Sequence, residues 1–82
     1  MTRAEIEAAV LRALAEVAPE VDATSLRRDV PFRDQVDLDS FDYLNFMIAL
    51  HHATTVDVPE SDYPKLATLR DAVDYLAQKI AA

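Results

Sequence analysis

No glycine occurs anywhere in the 82 residues. That excludes a glycine-rich phosphate loop and leaves turns to proline, aspartate and asparagine. Tight hairpins are disfavoured for the same reason, so the expectation moves toward helices. Cysteine is absent as well, which excludes disulfides, thiolate metal sites and thiol redox chemistry and fits a reducing, cytoplasmic setting. Basic residues are few: 8 Lys and Arg against 15 Asp and Glu give a formal net charge of −7. Such a balance repels a phosphate backbone, offers nucleic acid no basic patch, and steers the chain toward basic surfaces on partner proteins. Long apolar runs are also missing. The stretch MTRAEIEAAVLRALAEV mixes charge into its apolar residues, so it reads as neither a signal peptide nor a membrane span, and a soluble protein is expected.

A chain of this length is read as a single domain over residues 1–82, below the roughly 100 to 150 residues typical of domains. It buries only about 60 to 65% of its unfolded surface, enough for one core but not for a deep, water-excluding active site, so a non-enzyme is expected. Thr2 and Glu5 have capping-box spacing and open a first helix to Val17, with Ile6, Ala9, Val10, Ala13, Leu14 and Val17 forming its core stripe. Ala18 to Asp39, punctuated by Pro19 and Pro31, is a long connection. It reads as an ordered loop anchored by Val21, Leu26, Val30, Phe32 and Val36, with one helical turn between Thr24 and Arg28. Asp39 or Ser40 opens a second helix to about Ala53, on which Phe41, Leu44 and Ile48 keep helical rhythm while Tyr43, Phe46, Met47 and Leu50 widen the apolar surface. A short third helix over Ser61–Leu66 takes Asp62 as its cap, with Pro64 tolerated only in the first turn. Thr68 and Asp71 cap a final helix whose stripe is Leu69, Ala72, Val73, Leu76, Ala77 and Ile80. The expected fold is all-α, a four-helix bundle with three longer helices, one short third helix and a long first loop.

The sequence concentrates its chemistry in DLDSFDYLNF, residues 37–46. Ser40 has two readings there. A serine at a helix start is often a cap, and a hydroxyl at a helix N-terminus is also a favourable place for a phosphodiester, because free backbone donors and the helix dipole favour an anion. A serine hydrolase is disfavoured, since no general base lies near and the nucleophile-elbow glycines are missing. His51 and His52 are adjacent and point about 100° apart on a helix, which denies them the geometry of a metal pair. Asp34, Asp37, Asp39 and Asp42 cluster, but the glycine and closing glutamate of a calcium loop are missing. No metal site is expected. Tyr63 and Tyr75 read as core or edge aromatics with a polar tip.

DSFDYLNFMIAL followed by VDVPESDYPKLATLRDAVDYL resembles the acyl carrier proteins, whose hallmark is an Asp-Ser-Leu-like motif at the start of the second helix. The resemblance spans nearly the whole chain, with Pro59, Leu69 and Tyr75 in register. It implies a phosphoprotein of lipid metabolism such as fatty acid biosynthesis, not an enzyme, with covalent 4'-phosphopantetheine from coenzyme A on Ser40 and Asp39 as motif residue and helix cap. The arm's thiol then carries acyl groups as thioesters. Implied partners are a phosphopantetheinyl transferase and acyl-activating ligases, acyltransferases or synthases with basic docking surfaces; the carrier itself is expected to be a monomer. By the same resemblance Phe41, Leu44, Phe46, Ile48 and Leu66 are candidates to line an acyl chain. An unmodified adaptor of the same fold, or an aminoacyl or peptidyl carrier, are the alternatives.

The departures from the family pattern point to a specialised carrier in a dedicated lipid or secondary-metabolite pathway. Asp37 stands where housekeeping carriers usually have glycine, Phe41 where they have leucine, and Asn45, His51, His52 and Ala53 where they place several glutamates. Less acid on the recognition helix weakens attraction to basic surfaces. Asp37, Phe41, Asp42, Asn45, His51 and His52 are therefore the expected partner-recognition residues.

Overall fold

The computed structural model describes residues 1–81, so Ala82, the last residue of the single-domain reading, lies outside them. Its longer helices are α1 (Arg3–Val17), α3 (Ser40–Thr54) and α4 (Leu69–Ala81), with a one-turn α2 (Phe32–Gln35) and 3-10 segments at Ala23–Ser25 and Glu60–Leu66. No strand occurs among the described residues. The chain is an all-helical bundle, as its periodicity predicts.

Helix α1 starts where its sequence directs. The Thr2 hydroxyl accepts from the Glu5 N–H at 3.1 Å and the Glu5 carboxylate accepts from the Thr2 N–H at 2.8 Å, satisfying two of the orphan donors at the helix start. Ile6, Ala9, Val10, Ala13 and Leu14 are buried, and Val17 is half-buried. They pack α1 against α3 and α4. On α4 the Thr68 hydroxyl accepts from the Asp71 N–H at 3.0 Å, and Leu69, Ala72, Val73 and Leu76 close the core.

The long connection is stitched down rather than merely packed. Asp22 accepts from the Thr24 N–H and from the Thr24 and Ser25 hydroxyls, which builds a 3-10 turn at Ala23–Ser25; this turn shares only Thr24 and Ser25 with the one expected between Thr24 and Arg28, because Asp22 nucleates it one residue earlier. The Gln35 amide bridges the Arg27 N–H, the Arg27 carbonyl and the Val30 carbonyl. Backbone bonds from the Phe32 N–H to the Ala67 carbonyl (2.8 Å) and from the Arg70 N–H to the Arg28 carbonyl (3.1 Å) fix the loop to the far end of the chain. Phe32, Val36 and Leu38 are buried anchors; Val21, Leu26 and Val30 are half-buried. Pro31, expected only to interrupt helix, instead stands before the helical turn α2, where its fixed φ is suited to a helix start.

Two expectations need correction. On α3 the apolar set that keeps the rhythm of Phe41, Leu44 and Ile48 faces outward, at 76%, 42% and 45% exposure, while Phe46, Met47, Leu50 and Thr54 face the core. The outward face also carries Asn45 and His52, and burying each without partners costs about 1–3 kcal/mol. The inward face carries only two hydroxyls, and both are satisfied: Thr54 donates to the Leu50 carbonyl at 2.7 Å, and Tyr43 to the 3-10 segment. The third helix is a 3-10 run beginning after Pro59, with no side-chain cap. Asp62 lies inside it and is occupied elsewhere. Pro64 is the fifth of its seven residues, beyond the first turn, because a short 3-10 run at the surface loses little when one poorly aligned bond is missing.

Helix α3 ends at Thr55 in the left-handed region, φ 60°, with its N–H donating to the His51 carbonyl at 2.8 Å. Glycine normally fills that place. In a chain without glycine a β-branched residue carries the strain instead.

Candidate functional site

Ser40 is the first residue of α3 and is exposed. It is not the cap. Asp39 takes that role: its carboxylate accepts from the Asp42 N–H at 2.8 Å, and Asp42 accepts from the Asp39 N–H at 3.3 Å. This reciprocal box leaves the Ser40 Oγ without a hydrogen-bond partner among the described residues. Early helical N–H groups lack intrahelical acceptors, and the dipole adds partial positive charge. The hydroxyl is therefore accessible, unengaged and placed where a phosphodiester is electrostatically tolerated.

Beside it lies a groove of about 650 Å³. It is lined by Ser40, Phe41 and Leu44 of α3, by Tyr63 and Pro64 of the 3-10 segment, and by Pro31 and Arg33. Tyr43 also lines it, with its hydroxyl 2.9 Å from the Tyr63 carbonyl and 3.3 Å from the Leu66 carbonyl. The Arg33 guanidinium sits 5.1 Å from the Tyr43 ring centroid, a favourable cation–π placement. Burial pushes the Tyr43 hydroxyl above its ordinary 10.0, and Arg33 opposes that shift.

Of the five residues expected to line an acyl chain, the structure brings Phe41 and Leu44 to this groove. Phe46 and Leu66 are at 0% exposure inside the core, where Phe46 meets Phe32 edge to face at 5.2 Å between ring centroids. Ile48 lies on another side of α3, where it shares a shallow recess with Asp42, Asn45 and His52. Asp37 is exposed. His51 turns away from that recess, its Nδ1 3.0 Å from the Val56 carbonyl. Apart from Asp37, which precedes α3, the expected partner-recognition residues thus divide among the groove, the recess and the C-terminal end of α3.

Sequence reasoning named Tyr43 only as extra apolar surface and did not assign Arg33 to the site. Tyr43 lies 20 and 23 residues from its acceptors, so no local pattern announces the pairing.

The sequence model of the family described as "Phosphopantetheine attachment site" matches residues 8–76. Relatives described as acyl carrier proteins include one from Guillardia theta, 29% identical over 62 residues, covering 76% of each chain. Another, from Rubrobacter xylanophilus, is 25% identical over 72 residues, covering 84% of this chain and 89% of its own. A third, from Lactobacillus johnsonii, is 29% identical over 56 residues, covering 68% and 70%. Among the described residues no helix is long and apolar enough to cross a membrane. With an exposed serine at a helix start inside the matched region, the chain belongs to the acyl carrier protein family, carriers rather than catalysts that bear a covalent 4'-phosphopantetheine group.

Proposed function

We propose that Ser40 is the residue that bears the 4'-phosphopantetheine arm, and that the protein shuttles acyl groups between enzymes of a dedicated pathway. The observation that carries this reading is the unengaged, exposed hydroxyl of Ser40 on the lip of an apolar groove. The arm supplies a thiol that holds an acyl group as a thioester. In the loading step the Ser40 Oγ forms an ester bond to the pantetheine-side phosphorus of coenzyme A and the phosphoanhydride bond breaks. Adenosine bisphosphate leaves with the bonding pair, and the hydroxyl proton passes to a base of the transferase. Asp39 and Asp42 hold the helix start rigid during this exchange through their reciprocal hydrogen bonds.

The partners are a phosphopantetheinyl transferase and acyl-handling enzymes, a ligase, acyltransferase or synthase, reached in the cytoplasm by a monomeric carrier. Asp37 and Asp42 offer them negative charge, while Phe41, Asn45, His51 and His52 supply the exposed features that distinguish this α3. A surface with so little acid suits a dedicated partner better than a broadly basic one.

Intact-mass measurement after incubation with coenzyme A and a broad-specificity phosphopantetheinyl transferase tests the attachment. A gain of one phosphopantetheine that disappears in Ser40→Ala is expected. No gain overturns the assignment and leaves an unmodified adaptor role; a gain that survives Ser40→Ala overturns Ser40 as the attachment point. The dedicated-pathway reading fails if the protein restores growth to cells lacking their housekeeping carrier.

A further inference from the structure

We propose that Tyr43 is a positioning residue that latches the floor of the groove beside Ser40, so that carried acyl groups lie in a surface recess and do not enter the helical core. This rests on Ser40 as the attachment point. The Tyr43 side chain crosses from α3 to the 3-10 segment, with its hydroxyl facing the Tyr63 and Leu66 carbonyls at 2.9 and 3.3 Å. Leu66 ends that segment, so its carbonyl is among those a helix cannot satisfy internally. The latch therefore closes a polar gap that an entering chain would have to reopen.

The side chains next to the latch are buried. Phe46 and Leu66 are at 0% exposure, and the Tyr43 ring stands edge-on to Phe46 and Tyr63 at 6.1 and 6.3 Å between centroids. Neither Phe46 nor Leu66 borders the groove; Phe41, Leu44, Tyr63 and Pro64 do. Arg33 over the Tyr43 ring holds the latch from the solvent side. A thioester cargo on the Ser40 arm meets apolar walls at the surface and a closed floor. Short acyl groups fit such a recess, whereas added methylenes of longer ones find no further burial.

The test uses the full-length holo protein, verified by intact mass and loaded with saturated acyl groups of increasing length. Thermal midpoints are read by circular dichroism for wild type and Tyr43→Phe, which keeps the ring but loses the hydroxyl; Tyr43→Val, which vacates the ring, runs in parallel. The wild-type midpoint is expected to stay level along the series, and the variants to start lower and climb with chain length. A merely structural role would lower every midpoint equally. A wild-type midpoint that climbs as steeply as that of the variants overturns the proposal.

A second arm needs no modification. Anilinonaphthalene sulfonate added to the unmodified proteins should fluoresce several-fold more with Tyr43→Phe than with wild type. Equal fluorescence overturns the latch. If no phosphopantetheine is gained at Ser40, the carrier reading falls on the mass measurement, while the dye result still decides whether Tyr43 closes the core.

Discussion

The Tyr75 hydroxyl donates to the Asp62 carboxylate at 2.7 Å and thereby ties α4 to the 3-10 segment, with Lys65 3.2 Å from the other carboxylate oxygen. The bond from Tyr75, then that from Lys65, holds the Asp62 carboxyl below its ordinary 3.8. Burial, then the bond to Asp62, pushes the Tyr75 hydroxyl from 10.0 up to about 12. An acid with a depressed folded value contributes stability above its ordinary 3.8, and that contribution is lost as pH falls through the folded value. Tyr75 contributes below its ordinary 10.0, and its share is lost as pH rises toward about 12. Urea midpoints measured across pH should therefore fall at both extremes. In Tyr75→Phe the alkaline fall should shrink and the acid fall should flatten; unchanged limbs would refute the coupling.

Ser40 and Asp39 are neighbours with separable roles. Ser40→Ala should leave stability within about 0.5 kcal/mol, because the residue is exposed and does not cap. Asp39→Ala removes the acceptor of the Asp42 N–H and should cost about 1 kcal/mol. Urea denaturation read alongside phosphopantetheine labelling separates the two. Ser40→Ala loses labelling and keeps stability, and Asp39→Asn should restore most of what Asp39→Ala loses.

Phe41 and Phe46 make a second contrasting pair on the same helix. Phe46→Ala should cost about 3–5 kcal/mol, since it leaves a cavity against Phe32. Phe41→Ala, at 76% exposure, should stay within about 0.5 kcal/mol. Comparable losses in chemical denaturation would contradict the orientation of α3.

Thr55 is the residue at positive φ, 60°, among the described residues. Thr55→Gly should raise stability by roughly 1 kcal/mol, because glycine carries no Cβ penalty there. Thr55→Ala should not reproduce the gain. Thermal or urea unfolding distinguishes them.

Local rules placed the starts of α1, α3 and α4 because the groups that cap them lie within three residues of one another: Thr2 with Glu5, Asp39 with Asp42, Thr68 with Asp71. The core stripe of α1 followed from spacing alone. On α3 two apolar sets compete in one helix, and spacing could not rank them. The choice turned on Asn45 and His52, whose burial is costly, and on hydroxyl acceptors that come from elsewhere in the fold. Asp62 shows the same limit. In sequence it resembles a helix cap, yet its partner Tyr75 stands 13 residues away on α4.

The sequence by itself determined that this chain folds as an all-helical bundle, that α3 begins at Asp39 and Ser40, and that the motif around Ser40 matches a carrier. These properties follow from hydrophobic period, capping and residue identity, which act over a turn or two of chain. Tertiary structure alone decided which face of α3 meets the core, that Tyr43 reaches across to the Tyr63 and Leu66 carbonyls, and that Phe41 and Leu44 line a groove beside Ser40. Those outcomes depend on groups distant in sequence competing for the same buried volume and the same hydrogen-bond acceptors, a competition that exists only once the helices have packed.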